Sequence, residues 1–217
     1  MDGLTITRVS ETKKGRMALF CEEGFLFSLD EETYHFHPVA EGQTLSGAEL
    51  EQLRLMSDTR KAKDKALDYL GLRSYGSAEL YNKLCTKFDE HSAAAAVARM
   101  AELGLLDDEE FARRMAVSCH NMRRSRRDAA HRLSAKGLDR ELIEQALDEV
   151  YQEGDEEEAI LRLIERMYAN KLRQGKRDNV RAALARRGFG ARPIREALSR
   201  WQEENGGTTE EEGWEDP

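Results

Sequence analysis

Beyond Ser46 the apolar residues fall three and four positions apart, the spacing of helices with one buried face. After Asp139 they are Leu142, Ile143, Ala146, Leu147 and Val150, and Asp139 stands where an N-cap belongs. Asp107, with Glu110 three residues on, opens a helix through Phe111, Met115 and Cys119. Ser125 opens another with Ala129 and Leu133, stopped by Gly137. Three more are predicted over residues 159–172, 176–187 and 191–201, with Pro193 tolerated in a first turn. The N-terminal stretch has a different rhythm. Residues 6–9, 17–21 and 25–29 are short, β-branched or apolar runs, separated by Lys13-Lys14-Gly15 and Glu22-Glu23-Gly24, and they predict an antiparallel meander. Ser46 and Glu49 then form a capping-box pattern, with Leu45 and Leu50 placed as a hydrophobic staple, so a helix starts there. A linker is expected near residues 58–60.

The helical part repeats. Arg73, Arg123 and Arg173 fall fifty residues apart, each before a polar turn, and Leu84, Leu133 and Leu184 follow them. Ile143, Ala146 and Leu147 recur at a shift of 51 as Ile194, Ala197 and Leu198. A period of this length marks a repeat architecture in which each unit covers the apolar face of the next. The fold expected is mainly α: tandem three-helix repeats forming an elongated curved array, preceded by a small antiparallel β meander. Its parts are a strand region at 1–45, a helical linker at 46–59, repeats at 60–106, 107–153 and 154–204, and an acidic tail at 205–217 with too little apolar content to fold alone.

Composition sharpens this. The 217 residues are 40% apolar and 35% charged, and the three prolines, Pro38, Pro193 and Pro217, leave 39–192 free of helix breakers. The net charge of -8 conceals a basic body. Residues 111–140 carry nine Lys/Arg against two acids, residues 162–200 twelve against three, and residues 203–216 seven acids and no base. No apolar run is long enough for a membrane span, and the first residues lack the form of a secretory signal. Cys21, Cys85 and Cys119 are odd in number and without CxxC spacing, so a reduced, cytoplasmic, soluble protein without disulfide framework or zinc site is expected.

Candidate chemistry is sparse. His35 and His37 would share one face of a strand, but no third ligand accompanies them. Cys119-His120 lacks a partner for nucleophilic catalysis, and Asp107-Asp108-Glu109-Glu110 is explained by a helix N-terminus. No Walker loop or dinucleotide fingerprint occurs. No enzyme, catalytic residue, metal or cofactor is expected. The positive signal is the basic turn before the second helix of each repeat: Arg73-Ser74-Tyr75-Gly76 in the first, Arg123, Arg124, Arg126 and Arg127 around Ser125, then Arg173, Lys176 and Arg177. Arginine forks beside a helix N-terminus suit phosphates or carboxylates. Lys136, Arg181, Arg186, Arg187 and Arg192 extend this candidate surface. The competing reading is a set of solvated helix faces.

Several segments, taken in order, resemble a known family. They are Ala66-Leu67-Asp68-Tyr69-Leu70 with Arg73-Ser74, Glu79-Leu80 and Leu84; the run from Leu103 to Ala112; and Arg132-Leu133-Ser134-Ala135-Lys136-Gly137-Leu138. Together, over roughly residues 60–200, they resemble the RecX family. Ser125 stands where that family commonly has glycine, and Arg132 where it often has an acid. The resemblance implies tandem three-helix repeats that bind the RecA recombinase filament on DNA and modulate it, usually by inhibition of filament extension, ATP hydrolysis and strand exchange. It implies a monomeric regulator of homologous recombination and DNA repair, contacting single- or double-stranded DNA without sequence specificity and having no membrane partner. Two other readings stay open: an independent nucleic-acid-binding repeat protein, and a protein-only helical adaptor whose basic face meets acidic partners.

Overall fold

The alternating residues near the N-terminus pair into two small antiparallel sheets. In the computed structural model, which describes residues 3–205, β1 (Leu4–Thr5) pairs with β5 (Thr44–Leu45). β2 (Arg8–Glu11), β3 (Met17–Cys21) and β4 (Gly24–Leu29) form the meander, with Leu19 between Val9 and Phe27. The strand expected over 6–9 is displaced to 8–11, and a further short strand, β1, precedes it. The chain passes from one sheet to the other at Ile6, whose side chain is fully buried and whose N–H donates to the Gln43 carbonyl at 2.9 Å. Ile6, Leu19, Leu29, Val39, Leu45 and Leu53 make a core of their own.

His35 lies on a helix rather than a strand. α1 (Glu31–Phe36) is capped by Asp30, which accepts from the Thr33 N–H at 3.0 Å, and His37 is its C-cap. Residues two apart on a helix do not share a face, so the His-x-His pattern loses its chelating geometry. Among the described residues no group of three or more His, Cys, Asp or Glu is placed to hold a metal ion.

α2 (Gly47–Leu72) begins at the capping box: the Ser46 N–H donates to Glu49 at 2.8 Å, and the Glu49 N–H donates to the Ser46 hydroxyl at 3.3 Å. It runs through residues 58–60, the end of the expected helical linker. The polar side chains around it are matched to neighbours. Arg16 donates to the Ser57 hydroxyl at 2.8 Å and to the Ser28 carbonyl at 2.9 Å, joining the helix to the meander. Lys61 pairs with Asp58 and Arg60 with Glu32, both at 2.8 Å. α2 then packs with α3 (Ser77–Cys85) and α4 (Glu90–Glu102) around Ala66, Leu80, Leu84 and Met100. These elements make up one compact unit, residues 1–107.

The second unit, residues 108–217, holds two further three-helix sets. α5 (Asp108–Asn121), α6 (Arg126–Ser134) and α7 (Arg140–Val150) surround Phe111, Leu133, Ile143 and Leu147. α8 (Asp155–Leu163) runs through a π-helical turn (Ile164–Tyr168) into α9 (Ala169–Arg173). With α10 (Arg177–Arg186) and α11 (Ala191–Asn205) it encloses Ile160, Leu184, Ile194 and Trp201. The helix expected from residue 159 starts four residues earlier, because the acids at 155–158 form its first turn, where a helix dipole favours them. Leu84, Leu133 and Leu184 are each fully buried, as the fifty-residue period requires. The acidic tail expected at 205–217 lies, after Asn205, outside the described residues. Among the described residues no helix is long and apolar enough to cross a membrane.

Candidate nucleic-acid interface

The turn between α5 and α6 carries an unusual arginine. Helix α5 ends in a paired-carbonyl motif in which the Arg123 N–H donates to the His120 carbonyl at 2.9 Å and the Arg124 N–H to the Cys119 carbonyl at 3.1 Å. That geometry needs a left-handed residue, and Arg123 supplies it with φ 56°. The corresponding turn after α9 uses Gly175, at φ 73°, with the same bonding. Arg123 is the one non-glycine residue with positive φ among those described.

Ser125 follows as the N-cap of α6 and is fully buried. Its hydroxyl accepts from the Asp128 N–H at 3.1 Å and donates to the Arg187 carbonyl at 3.0 Å, at the end of α10. Gly188, at φ +89°, lies so close that a Cβ there would sit 2.6 Å from the Ser125 hydroxyl. The joint brings two basic segments, far apart in the chain, to one place. Met122, Arg123, Arg124 and Asp128 face Arg186, Arg187 and Phe189 across a cleft of about 310 Å³. Arg124 pairs with Asp128 at 2.9 Å, and Arg132 shares that carboxylate at 3.0 Å. Burial tends to push the Asp128 carboxyl up, but hydrogen bonds from Arg132 and Arg124 outweigh it and hold it below the usual range. The π-helical turn presents Met167, whose sulfur receives Nη2 of Arg187 at 3.7 Å.

A second joint lies behind the cleft. His120 and the Asp155 carboxylate are 3.0 Å apart, Tyr151 stands edge-on to His120 with centroids 5.2 Å apart, and the Tyr151 hydroxyl donates to the Arg124 carbonyl at 3.3 Å. Burial pushes the Tyr151 phenol well above its ordinary value, so it stays a neutral donor. Burial likewise pushes the Cys119 thiol up, opposite to what an activated cysteine needs.

The sequence-predicted basic residues divide accordingly. Arg123, Arg124, Arg186 and Arg187 meet at the cleft. Arg73 is committed elsewhere: it binds Glu79 through two hydrogen bonds of 3.0 Å and lies 3.6 Å over the Tyr75 ring. Arg126 is held by Glu144 at 2.6 Å and Asp148 at 2.8 Å. Arg177 donates to Gln202 at 3.0 Å, Arg173 to Asn170 at 3.2 Å and Lys176 to Gln174 at 2.9 Å. Arg181 pairs with Asp178 at 3.2 Å, and Arg192 with Glu196 at 2.8 Å. Lys136 is half-buried in the turn after α6, and Arg127 is exposed. Among the described residues, Arg123, Arg127, Arg173, Lys176, Arg177, Arg186 and Arg187 have no acidic side chain within ion-pair distance. Asp128, Met122, Met167 and Phe189 are absent from the sequence reading of the site; only Asp128 left a signal, its place four residues from both Arg124 and Arg132.

Comparisons with known proteins agree with this architecture. The family model for the first three-helix domain of RecX matches residues 62–100, and that for the second matches residues 107–147. The chain is 29% identical to the regulatory protein RecX of Listeria monocytogenes serotype 4a over 171 residues, which is 77% of this chain and 63% of that protein's length. It is also 29% identical to the regulatory protein RecX of Bacillus licheniformis over 218 aligned positions, 97% of this chain and 82% of the relative. A crystal structure of a regulatory protein RecX superposes with a TM-score of 0.66 at 18% identity, covering 91% of this chain and 99% of the other, a likeness of fold. Two three-helix domains in family order, each filled by its own buried leucines, place this chain in the RecX family.

Proposed function

We propose that this protein is a non-catalytic regulator of homologous recombination and DNA repair, which binds a RecA filament on DNA and lowers its extension, ATP hydrolysis and strand exchange. The observation that carries the reading is the basic cleft in the second unit, with Arg123 and Arg186 left without acidic partners among the described residues, in a chain with the RecX domain order. Unpaired guanidinium groups suit DNA phosphates, and helical repeats suit a polymer because they offer an extended surface rather than a deep pocket. The protein acts as a monomer, without cofactor or metal, and contacts DNA without reading its sequence.

The test is RecA-catalysed ATP hydrolysis and strand exchange with the purified full chain present at substoichiometric amounts. Both should fall, because blocking one growing end halts the addition of many subunits. Binding to the filament should exceed binding to naked DNA or to free RecA. An unchanged rate in both assays across a range of salt sinks the reading. Tight binding to bare DNA without any effect on RecA favours the independent nucleic-acid-binding alternative, which the same cleft supports.

A further inference from the structure

We propose that the cleft between the α5–α6 turn and the end of α10 is a phosphate-binding site that seats one backbone phosphate of a nucleic-acid strand. This deepens the proposed nucleic-acid contact by assigning it to one place and not to three equivalent turns.

Three independent observations converge on it. The first is charge. Four guanidinium groups line the cleft against a single carboxylate, Asp128, which Arg124 and Arg132 already share. The excess is positive and concave, and low-dielectric walls focus such a field. The other basic turns differ: Arg73 is bound to Glu79, and Arg173, Lys176 and Arg177 donate to Asn170, Gln174 and Gln202.

The second is backbone conformation. Helix ends in this chain that need a left-handed residue take glycine at Gly104, Gly137, Gly175 and Gly188, yet Arg123 holds φ 56° at the cleft. An arginine there is disfavoured locally, since its Cβ crowds the following carbonyl. A strained residue at a concave basic site points to a use for its side chain.

The third is positioning. Arg187 is fixed from both sides, its carbonyl by the Ser125 hydroxyl and its guanidinium by the Met167 sulfur. Arg124 is fixed by Asp128, so part of the donor set is organised before any ligand arrives. Met122 stands largely exposed at the rim, suited to lie against a sugar.

Phosphate fits better than carboxylate. Its tetrahedral oxygens can accept from guanidinium forks on several sides at once, whereas a carboxylate offers only two oxygens in one plane. The open cleft, about 310 Å³, is at the small end of ligand sites and suits a phosphate with its sugar rather than a whole cofactor.

The experiment measures anisotropy of a fluorescein-labelled single-stranded oligonucleotide at low salt, with the full chain and three variants. Arg186→Gln/Arg187→Gln and, separately, Arg123→Gly should each weaken binding by about tenfold or more. Arg54→Gln/Arg99→Gln, which removes the same charge from exposed pairs in the first unit, should change it by less than about threefold. Arg123→Gly should at the same time raise the thermal midpoint, which separates loss of a ligand contact from loss of fold. Inorganic pyrophosphate should compete with the oligonucleotide for the parent protein. Cleft variants that bind like the parent overturn the proposal, as does a parent that binds no oligonucleotide. Competition by a poly-glutamate peptide stronger than by pyrophosphate also overturns it, in favour of an acidic protein partner. Failure of the RecA reading is separable: a parent that binds oligonucleotide through the cleft but leaves RecA unaffected keeps this site and removes that function.

Discussion

Replacing Ser125 with alanine should destabilise the second unit by about 2 kcal/mol. The hydroxyl is fully buried and works twice, as acceptor for the Asp128 N–H and as donor to the Arg187 carbonyl. Loss of a serine N-cap costs about 1 kcal/mol. Leaving the Arg187 carbonyl without its buried donor adds about 1 kcal/mol more. Both tryptophans of the chain, Trp201 and Trp214, come after residue 107 in the sequence, and Trp201 is buried in the core of the second unit. Urea unfolding followed by tryptophan fluorescence therefore reports on this unit without a signal from the first. With a denaturant slope of about 2 kcal/mol per molar, the midpoint should fall by about 1 M. Ser125→Gly, the residue common in the family, should cost roughly half as much, because glycine caps a helix nearly as well as serine but cannot donate to Arg187. The reasoning fails if Ser125→Ala moves the midpoint by less than about 0.2 M, or if glycine is worse than alanine.

Three other perturbations separate binding from structure. Arg73→Ala should lower the stability of the first unit by about 1 kcal/mol, since it removes a two-pronged, half-exposed pair with Glu79 and the stacking on Tyr75. Circular dichroism on heating reads that loss, while oligonucleotide affinity should stay within about twofold; a large fall in affinity would return Arg73 to the binding surface. Deleting residues 205–217 should tighten nucleic-acid binding, most at low salt, because the seven acids at 203–216 fall mostly in that segment and compete with phosphate for the basic groups. Equal affinities at low salt would leave the tail a solubilising role only. Asp128→Asn should cost stability at neutral pH, by an amount that shrinks as acid is added. The native Asp128 carboxyl titrates below its ordinary range, so its contribution is complete above about pH 4 and vanishes as pH falls through the native value. A difference between parent and variant that is constant from pH 7 to about pH 2 contradicts this.

Local signals were the legible ones. The capping box at Ser46 and Glu49, the N-cap at Ser125, and the left-handed glycine at Gly137 each depend on contacts within a few residues. The strand expected around His35 and His37 failed for a related reason: Thr33, Tyr34 and Phe36 favour a strand by type, but Asp30 caps a helix across them. The burial of Ser57 against Arg16 and Ser28 was not legible, because those partners lie on segments more than two dozen residues away.

The helical class, the fifty-residue repeat and the leucines that fill each repeat can be read along the chain, because periodicity and capping act over one or two turns. So can the basic body under an acidic total. Which arginines are committed and which are open depends on how distant segments pack. Arg73, Arg123 and Arg173 look equivalent in spacing, yet one is bound to Glu79, one lines a cleft, and one is bonded to Asn170. That difference comes from packing between segments about sixty residues apart, where Ser125 meets Arg187 and Gly188 leaves room for the approach. Such neighbours leave no trace in local spacing, since charge pairing is set by distance in space and not by distance along the chain.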